Sequence, residues 1–297
     1  MEIVADFGNL CGECPIWDPA AATLYWTDCV GQMFFRYTSG VAEAIKSEFE
    51  VNGYRLNAGG GFAIANNSGA WLWDGADGLQ IVAAQIEGAK CQFNDCTSDP
   101  AGRLIAGTCF YDPNGTYPLG KLMRIDTDGQ GAILDEGFQL SNGLAFAPDG
   151  KLLYFADSVA RTIFRYDYDV VSGNVRNRQL FVQVPLTEGL PDGLAVDDAG
   201  FVWSAQWYGG CIVRYDPDGK EERRIAVPAK QTSALAFGGP DLTDIYITSA
   251  ANSEPMPVMP PGYDPTAGPL GGPLFRFNAG IAGRAEWPTR IALPDRA

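Results

Sequence analysis

The sequence predicts an all-β protein, a six-bladed β-propeller, and two observations carry that expectation. Apolar segments are short, alternate with period two and are separated by DPxG-, PDG- and NG-type turn signals, with little helical periodicity. The chain also repeats itself. Six units follow one another at intervals suited to propeller blades, each too small to bury its own faces without neighbours.

The first unit is "ECPIWDPAAATLYWTDCVGQMFFRY" (13–37), and a weaker second copy is "GGFAIANNSGAWLWDG" (60–75). The third joins "FNDCTSDPAGRLIAGTCF" to "GKLMRID" (93–126). The fourth and fifth, "SNGLAFAPDGKLLYFADSVARTIFRYD" (141–167) and "PDGLAVDDAGFVWSAQWYGGCIVRYDPDG" (191–219), are the clearest. Each has a polar residue, then G-L-A, an alternating strand, an Asp/Gly turn, a second strand, a short turn and a third strand ending in R-Y-D. The sixth is "SALAFGGPDLTDIYITSA" with "GGPLFRF" (233–277). Aligned on the turn, the opening positions are Glu13, Gly60, Asn94, Asn142, Asp192 and Ser233, spaced 47, 34, 48, 50 and 41 residues apart. Six such blades account for residues 1–297 as one domain, with "EIVADFG" (2–8) as the outer strand that closes the last blade. Two stacked β-sandwiches are the alternative, but sandwiches do not require such regular self-similarity.

Composition narrows the chemistry. With 46% apolar and 19% charged residues the chain has an ordinary globular balance. The net charge of −15 argues against nucleic acid as a partner, because phosphate contacts need clustered Lys and Arg. No run approaches 18 apolar residues, so no membrane span is expected. The start "MEIVADFGNL" lacks the basic and apolar regions of a secretory signal, and seven cysteines, an odd number, suit reduced thiols. A cytoplasmic location is the expectation. His is absent, which removes Ser-His and Cys-His catalysis and the common His-containing zinc sites.

In a propeller the first strand of each blade lines the central channel, so equivalent repeat positions form a ring at one end. Here that ring supplies two carboxylates, Glu13 and Asp192, and two amides, Asn94 and Asn142. Such oxygens around an open channel suit a hard divalent cation, with water completing the shell. Asn-Gly and Asp-Gly are also frequent turn pairs, but four at matching positions argue for a ring. The alternative reading of "LCGECPIWDP" (10–19) as a functional CxxC motif lacks a βαβ context, a second CxxC and a His. By the period-two rule Cys14 faces away from Glu13, while Cys11 can approach Glu13's side, and a Cys11–Cys14 link or a thiol contact to a metal is a minor alternative.

At this point the sequence resembles the senescence-marker-protein (regucalcin), gluconolactonase and luciferin-regenerating-enzyme family of six-bladed propellers. The carriers are "GECPIWDP", "FNDCTSDPAGRLIAGT", "SNGLAFAPDGKLLYFADS", the fifth unit as a whole and "TSALAFGGPDLTDIYIT", which together span nearly the whole chain. The resemblance implies Glu13, Asn142 and Asp192 as ligands of one divalent cation, whether Ca, Mg, Mn, Zn or Fe(II). It implies a small-molecule lactone substrate; for its opening by water Asp192 is the expected catalytic base, with a hydroxide-like metal-bound water as an equal description. Asn94 matches the family's substrate-contacting Asn, and Gln92 stands where relatives commonly carry an Arg that helps hold a sugar lactone. A Glu found in some relatives has no counterpart in "NGTYPLGKLMRID".

Cys109, Tyr111 and Trp207 are further candidates for the substrate pocket, with Tyr208 beside Trp207. The segment "ANSEPMPVMPPGYDPTAGPLGGP" (251–273) carries seven Pro and four Gly, cannot be a strand or helix, and is expected to rim the channel mouth. Two other functions remain compatible with the ring: a propeller hydrolase acting on phosphoesters or aryl esters, and a non-catalytic calcium-binding propeller.

Overall fold

The computed structural model describes residues 1–112, 114–252 and 256–292. Blade one contains β2 (Gly12–Asp18), β3 (Thr23–Asp28), β4 (Met33–Thr38) and β5 (Val41–Ser47), and blade two contains β6 (Gly53–Leu56), β7 (Phe62–Asn66), β8 (Gly69–Trp73) and β9 (Leu79–Ala83). A two-stranded hairpin, β10 (Gln85–Ile86) and β11 (Ala89–Lys90), leads into blade three, made of β12 (Phe93–Ser98), β13 (Leu104–Thr108), β14 (Gly120–Ile125) and β15 (Gly131–Phe138). Blade four has β16 (Ser141–Phe146), β17 (Leu152–Asp157), β18 (Thr162–Asp169) and β19 (Asn174–Gln183). Blade five has β20 (Leu190–Val196), β21 (Val202–Trp207), β22 (Cys211–Tyr215) and β23 (Glu221–Ala226). Blade six has β24 (Thr232–Gly238), β25 (Asp244–Ser249) and β26 (Pro273–Asn278), and its outer strand is β1 (Glu2–Asp6), paired antiparallel with β26.

Every blade is a four-stranded antiparallel sheet in simple sequential order. The inner strands β2, β6, β12, β16, β20 and β24 contact one another in a closed ring. Pairing β1 with β26 ties the two ends of the chain together, so the ring is closed by backbone hydrogen bonds as well as by packing. Among the described residues, no helix is long and apolar enough to cross a membrane.

Local sequence explains the regularity. The Asp that opens each turn satisfies the turn's own amides: Asp197 Oδ1 accepts from Ala199 N and Phe201 N at 3.0 Å each, and Asp216 Oδ1 accepts from Asp218 N at 3.0 Å and Lys220 N at 2.9 Å. Between blades, aromatic residues fill the wedge. Phe34 meets Tyr54, Phe62 and Trp73 edge-on at 4.7–5.2 Å, joining blades one and two.

The glycines after Asn142 and Asp192 have a packing role rather than a turn role. A Cβ on Gly143 would stand 2.3 Å from Asp192 O, and one on Gly193 would stand 2.6 Å from Ala234 Cβ. The N-G-L and D-G-L motifs therefore let neighbouring inner strands close up around the channel.

Candidate active site

At the end of the channel where the inner strands begin lies a cavity of about 380 Å³. Glu13, Asn52, Asn94, Asn142 and Asp192 line it, one from each of blades one to five, with Asp95 beside them. Leu10, Val30, Leu140, Leu190, Tyr111, Trp207 and Met256 supply its less polar wall. Among the described lining residues there is no Lys or Arg. The opposite end is nearly filled: the space left there, about 40 Å³, is bordered by Arg284, Glu286 and Trp287 of the C-terminal segment. The cavity is therefore a blind cup.

The ring residues sit where the strands depart from regular pairing. Register shifts fall between Glu13 and Ile16, Phe93 and Asp95, Ser141 and Leu144, Pro191 and Leu194, and Thr232 and Leu235. A bulge re-aims the side chains at the start of an inner strand, and its recurrence in five blades makes the ring a property of the repeat.

Side-chain donors then link blade to blade. Thr27 Oγ1 donates to Val51 O (3.1 Å), Asn52 Nδ2 to Phe93 O (2.8 Å), Asn94 Nδ2 to Ser141 O (2.9 Å), Ser158 Oγ to Pro191 O (2.6 Å) and Ser233 Oγ to Gly12 O (2.5 Å). Each acceptor is the residue just before the next blade's ring position. Asn142 joins this belt by donating Nδ2 to Ser158 Oγ at 3.1 Å. With their NH2 groups donating to the belt and, for Asn142, also toward Asp192, the amides of Asn94 and Asn142 keep their carbonyl oxygens for the cavity, an arrangement set by the hydrogen-bond network. Ser158→Ala is expected to cost about 1–3 kcal/mol, because it strands Pro191 O and releases the Asn142 amide. A lower urea midpoint with an unchanged slope would show it.

Two acids act one layer back. Asp28 accepts from Leu10 N (2.7 Å) and Cys11 N (2.9 Å), fixing the approach to Glu13. Asp157 does the same for blade four, accepting from Gln139 N (2.8 Å) and Leu140 N (3.1 Å). Both end the second strand of their blade, a repeat position whose positioning role depends on amides that only the fold brings to it.

The cavity concentrates negative charge. Burial, then the neighbouring Asp192, holds the Glu13 carboxyl well above its ordinary range. Burial, then Asp95, pushes Asp192 up in the same way, against lowering contributions from the Gly193 N–H and the Asn142 amide. Asp95 is also raised by burial, moderated by Arg55 and by hydrogen bonds from Cys96 N and the Cys14 thiol. Asp192 Oδ1 is buried with no hydrogen-bond partner. An orphaned carboxylate oxygen among other carboxylates fits a bound cation, which would relieve both the repulsion and the missing contact. Among the described residues no three Cys, Asp or Glu side chains converge closely enough to hold an ion unaided, so a cation here also needs amide oxygen.

Of the residues singled out from sequence, Glu13, Asn94, Asn142, Asp192, Tyr111 and Trp207 share this cavity. Gln92 and Cys109 are outside its lining: Gln92 Nε2 donates to Cys109 O at 2.9 Å, and its Oε1 accepts from Lys90 Nζ at 3.1 Å. Gly60 is not the opening of blade two. It lies in the turn between β6 and β7 at φ +100°, and the ring position belongs to Asn52. The segment 60–75 supplies the second and third strands of that blade instead. Spacings of 39 and 42 residues on either side of Asn52 are more even than those around Gly60, a signal present in the sequence.

Cys14 is absent from the cavity lining and packs in the core with Ile16, Phe34 and Tyr54, facing away from Glu13 as expected, but its backbone is irregular. The bulge places it at φ +47°, and its thiol lies 3.3 Å from Asn52 O and 3.5 Å from Asp95 Oδ1. Cys11 lies across the hairpin from Cys29, whose amide donates to Cys11 O at 3.0 Å, and all seven cysteines are unpaired. Asn252 and Met256, from the Pro-rich segment, border the cavity. Ala251 N and Asn252 N donate to Asn9 O and Leu10 O, and Tyr263 packs against Tyr208 at 4.6 Å, so the segment forms part of the rim. Residues 253–255 lie outside the described residues.

The fold and cavity define a class: an all-β propeller with an acid-and-amide cup at one end of its channel. Residues 11–251 match the SMP-30/Gluconolactonase/LRE-like region, and the chain belongs to that family. It is 36% identical to the pentonolactonase XacC of Haloferax volcanii over 98% of each chain. It is 34% identical to the 6-deoxy-6-sulfogluconolactonase of Pseudomonas putida over 94% of each. Among solved structures it superposes on a luciferin-regenerating enzyme with a TM-score of 0.86 at 26% identity, covering 98% of this chain and 99% of that one. The calcium-binding protein regucalcin from Agrobacterium tumefaciens gives 0.84 at 27% identity, covering 98% and 97%.

Proposed function

We propose that the protein is a metal-dependent hydrolase that opens a lactone ring, with a sugar lactone as substrate. The observation that carries this reading is the buried, unpartnered Asp192 Oδ1 in a cup that also holds Glu13 and the fixed amide of Asn142. Relatives named as lactonases support the substrate class. Glu13, Asn142 and Asp192 would hold one divalent cation, and the calcium-binding name of a structural neighbour supports a hard-ion site. When bound, the ion supplies Lewis-acid polarisation of the lactone carbonyl.

The chain's own residues do the rest. Asp192, serving as ion ligand and proton acceptor in turn, takes the proton of the attacking water. Water oxygen bonds to the carbonyl carbon, the ring C–O bond breaks, and the proton passes to the departing alkoxide, giving a hydroxy acid. Asn94 holds a substrate hydroxyl with its free carbonyl oxygen, and Tyr111 and Trp207 wall the ring of the substrate.

The apolar wall of Leu10, Val30, Leu140 and Leu190 favours a second reading, hydrolysis of aryl esters or phosphoesters. Acid release should be followed across aldonolactones, simple esters and phosphotriesters with several metals. The lactonase reading expects aldonolactones to react fastest. Faster turnover of aryl esters or phosphotriesters would transfer the assignment to the second reading.

A further inference from the structure

The cysteines flanking the blade-one hairpin have no part in the lactonase scheme. β2 and β3 pair Gly12 with Asp28 and Glu13 with Thr27, so one step outward Cys11 lies directly opposite Cys29. The Cys29 amide donates to Cys11 O at 3.0 Å, which continues the ladder to this pair. Directly opposed residues project their side chains from the same face of the sheet, so the two thiols face the same way across the hairpin. Both residues are partly exposed, and both line the cavity. Cys11 N goes instead to Asp28 Oδ1, so the pair makes one of the two ladder bonds, and directly opposed antiparallel residues have Cα atoms about 4.5–5.5 Å apart. That lies inside the range of about 4.4–6.8 Å that a disulfide spans.

We propose that Cys11 and Cys29 form a reversible dithiol–disulfide site at the rim of the cavity, a redox clasp on the hairpin that carries Glu13. Closure would fasten the Leu10 and Val30 ends of that hairpin together at the mouth. The bridge would form whether or not the cavity hydrolyses lactones. With a dialkyl disulfide as oxidant, one cysteine loses its proton and attacks a reagent sulfur, forming a mixed disulfide and releasing one alkyl thiol. The second cysteine then attacks the protein sulfur of that mixed disulfide, forms the Cys11–Cys29 bond and releases the second alkyl thiol. Two electrons and two protons leave the protein and reduce the reagent.

The other cysteines supply internal controls. Cys14, Cys91, Cys96 and Cys211 are buried, whereas Cys109 is partly exposed with no thiol partner among the described residues. Cys109 should therefore stop at a mixed disulfide.

The test treats the native full-length protein with excess bis(2-hydroxyethyl) disulfide, quenches it with acid and maps peptides by mass spectrometry. The expected result is one Cys11–Cys29 cross-linked peptide lighter by two hydrogens, no stable adduct on either residue, and full reversal by dithiothreitol. Cys11→Ser and Cys29→Ser should each leave the surviving thiol carrying a persistent adduct, because the resolving partner is gone. Wild-type protein that accumulates adducts on Cys11 or Cys29, as the single variants do, would overturn the proposal. So would survival of both thiols unmodified while Cys109 is fully labelled.

Discussion

Asp192→Ala is expected to lower lactone hydrolysis by about 10³-fold or more while leaving the propeller folded. The side chain has two tasks in the proposed mechanism, as cation ligand and, in turn, as proton acceptor, and its buried, unpartnered Oδ1 is what points to them. Asp192→Asn separates chemistry from packing. It keeps the shape but removes a negative charge from a cup that burial and neighbouring carboxylates already make unfavourable for anions. Its activity should fall as far as that of the alanine variant, while the metal-free protein should unfold at a higher temperature than wild type, because like-charge repulsion is relieved. Steady-state rates and thermal melts in a chelating buffer check the two halves. Wild-type rates in either variant would remove Asp192 from the mechanism.

Arg55→Ala is expected to cost about 3–5 kcal/mol, the loss that follows when one partner of a buried ion pair is removed. Arg55 is 6% exposed and sits beneath the cup, its Nε 2.8 Å from Glu286 and its charge acting on Asp95. Its removal leaves Asp95, buried among Glu13 and Asp192, without the cation that offsets it. Glu286 is a third exposed, so solvent screens that half of the pair, and most of the expected loss belongs to Asp95. The melting temperature should drop by roughly 5–8 °C for a chain of this length. Adding Asp95→Asn to an Arg55→Met background should recover part of the loss. A change under about 1 kcal/mol would mean that Arg55 is not compensating the cup.

The repeat made most of this architecture legible. Copies four and five state the same strand pattern, and aligning them puts Asn142 and Asp192 at one repeat position. Blade two resisted because "VNGYRLN" carries neither the G-L-A signature nor an Asp/Gly turn, so its inner strand was missed and Gly60 stood in for Asn52. Cys14 faces the core as expected, but its left-handed backbone was not legible, for a different reason. Period two holds along a regular strand, but the bulge after Glu13 breaks it at the residue in question.

The belt of blade-to-blade hydrogen bonds was out of reach for a third reason. Each donor and acceptor comes from a different repeat, up to 221 residues apart for Ser233 and Gly12, and a single sequence carries no sign of such a contact. The shared end position of Asp28 and Asp157 in their repeats was visible, but its meaning depends on amides that only the fold brings to it.

The central claim is that Glu13, Asn142 and Asp192 hold one cation on which lactone opening depends. Calorimetric titration of Ca²⁺, Mg²⁺, Mn²⁺ and Zn²⁺ into protein stripped by chelator tests it most directly. The expected result is one binding event per chain for at least one ion, lost in Glu13→Gln, with stripped protein inactive on lactones and restored by that same ion. Binding that persists unchanged in Glu13→Gln, or full lactone hydrolysis by stripped protein, would contradict it.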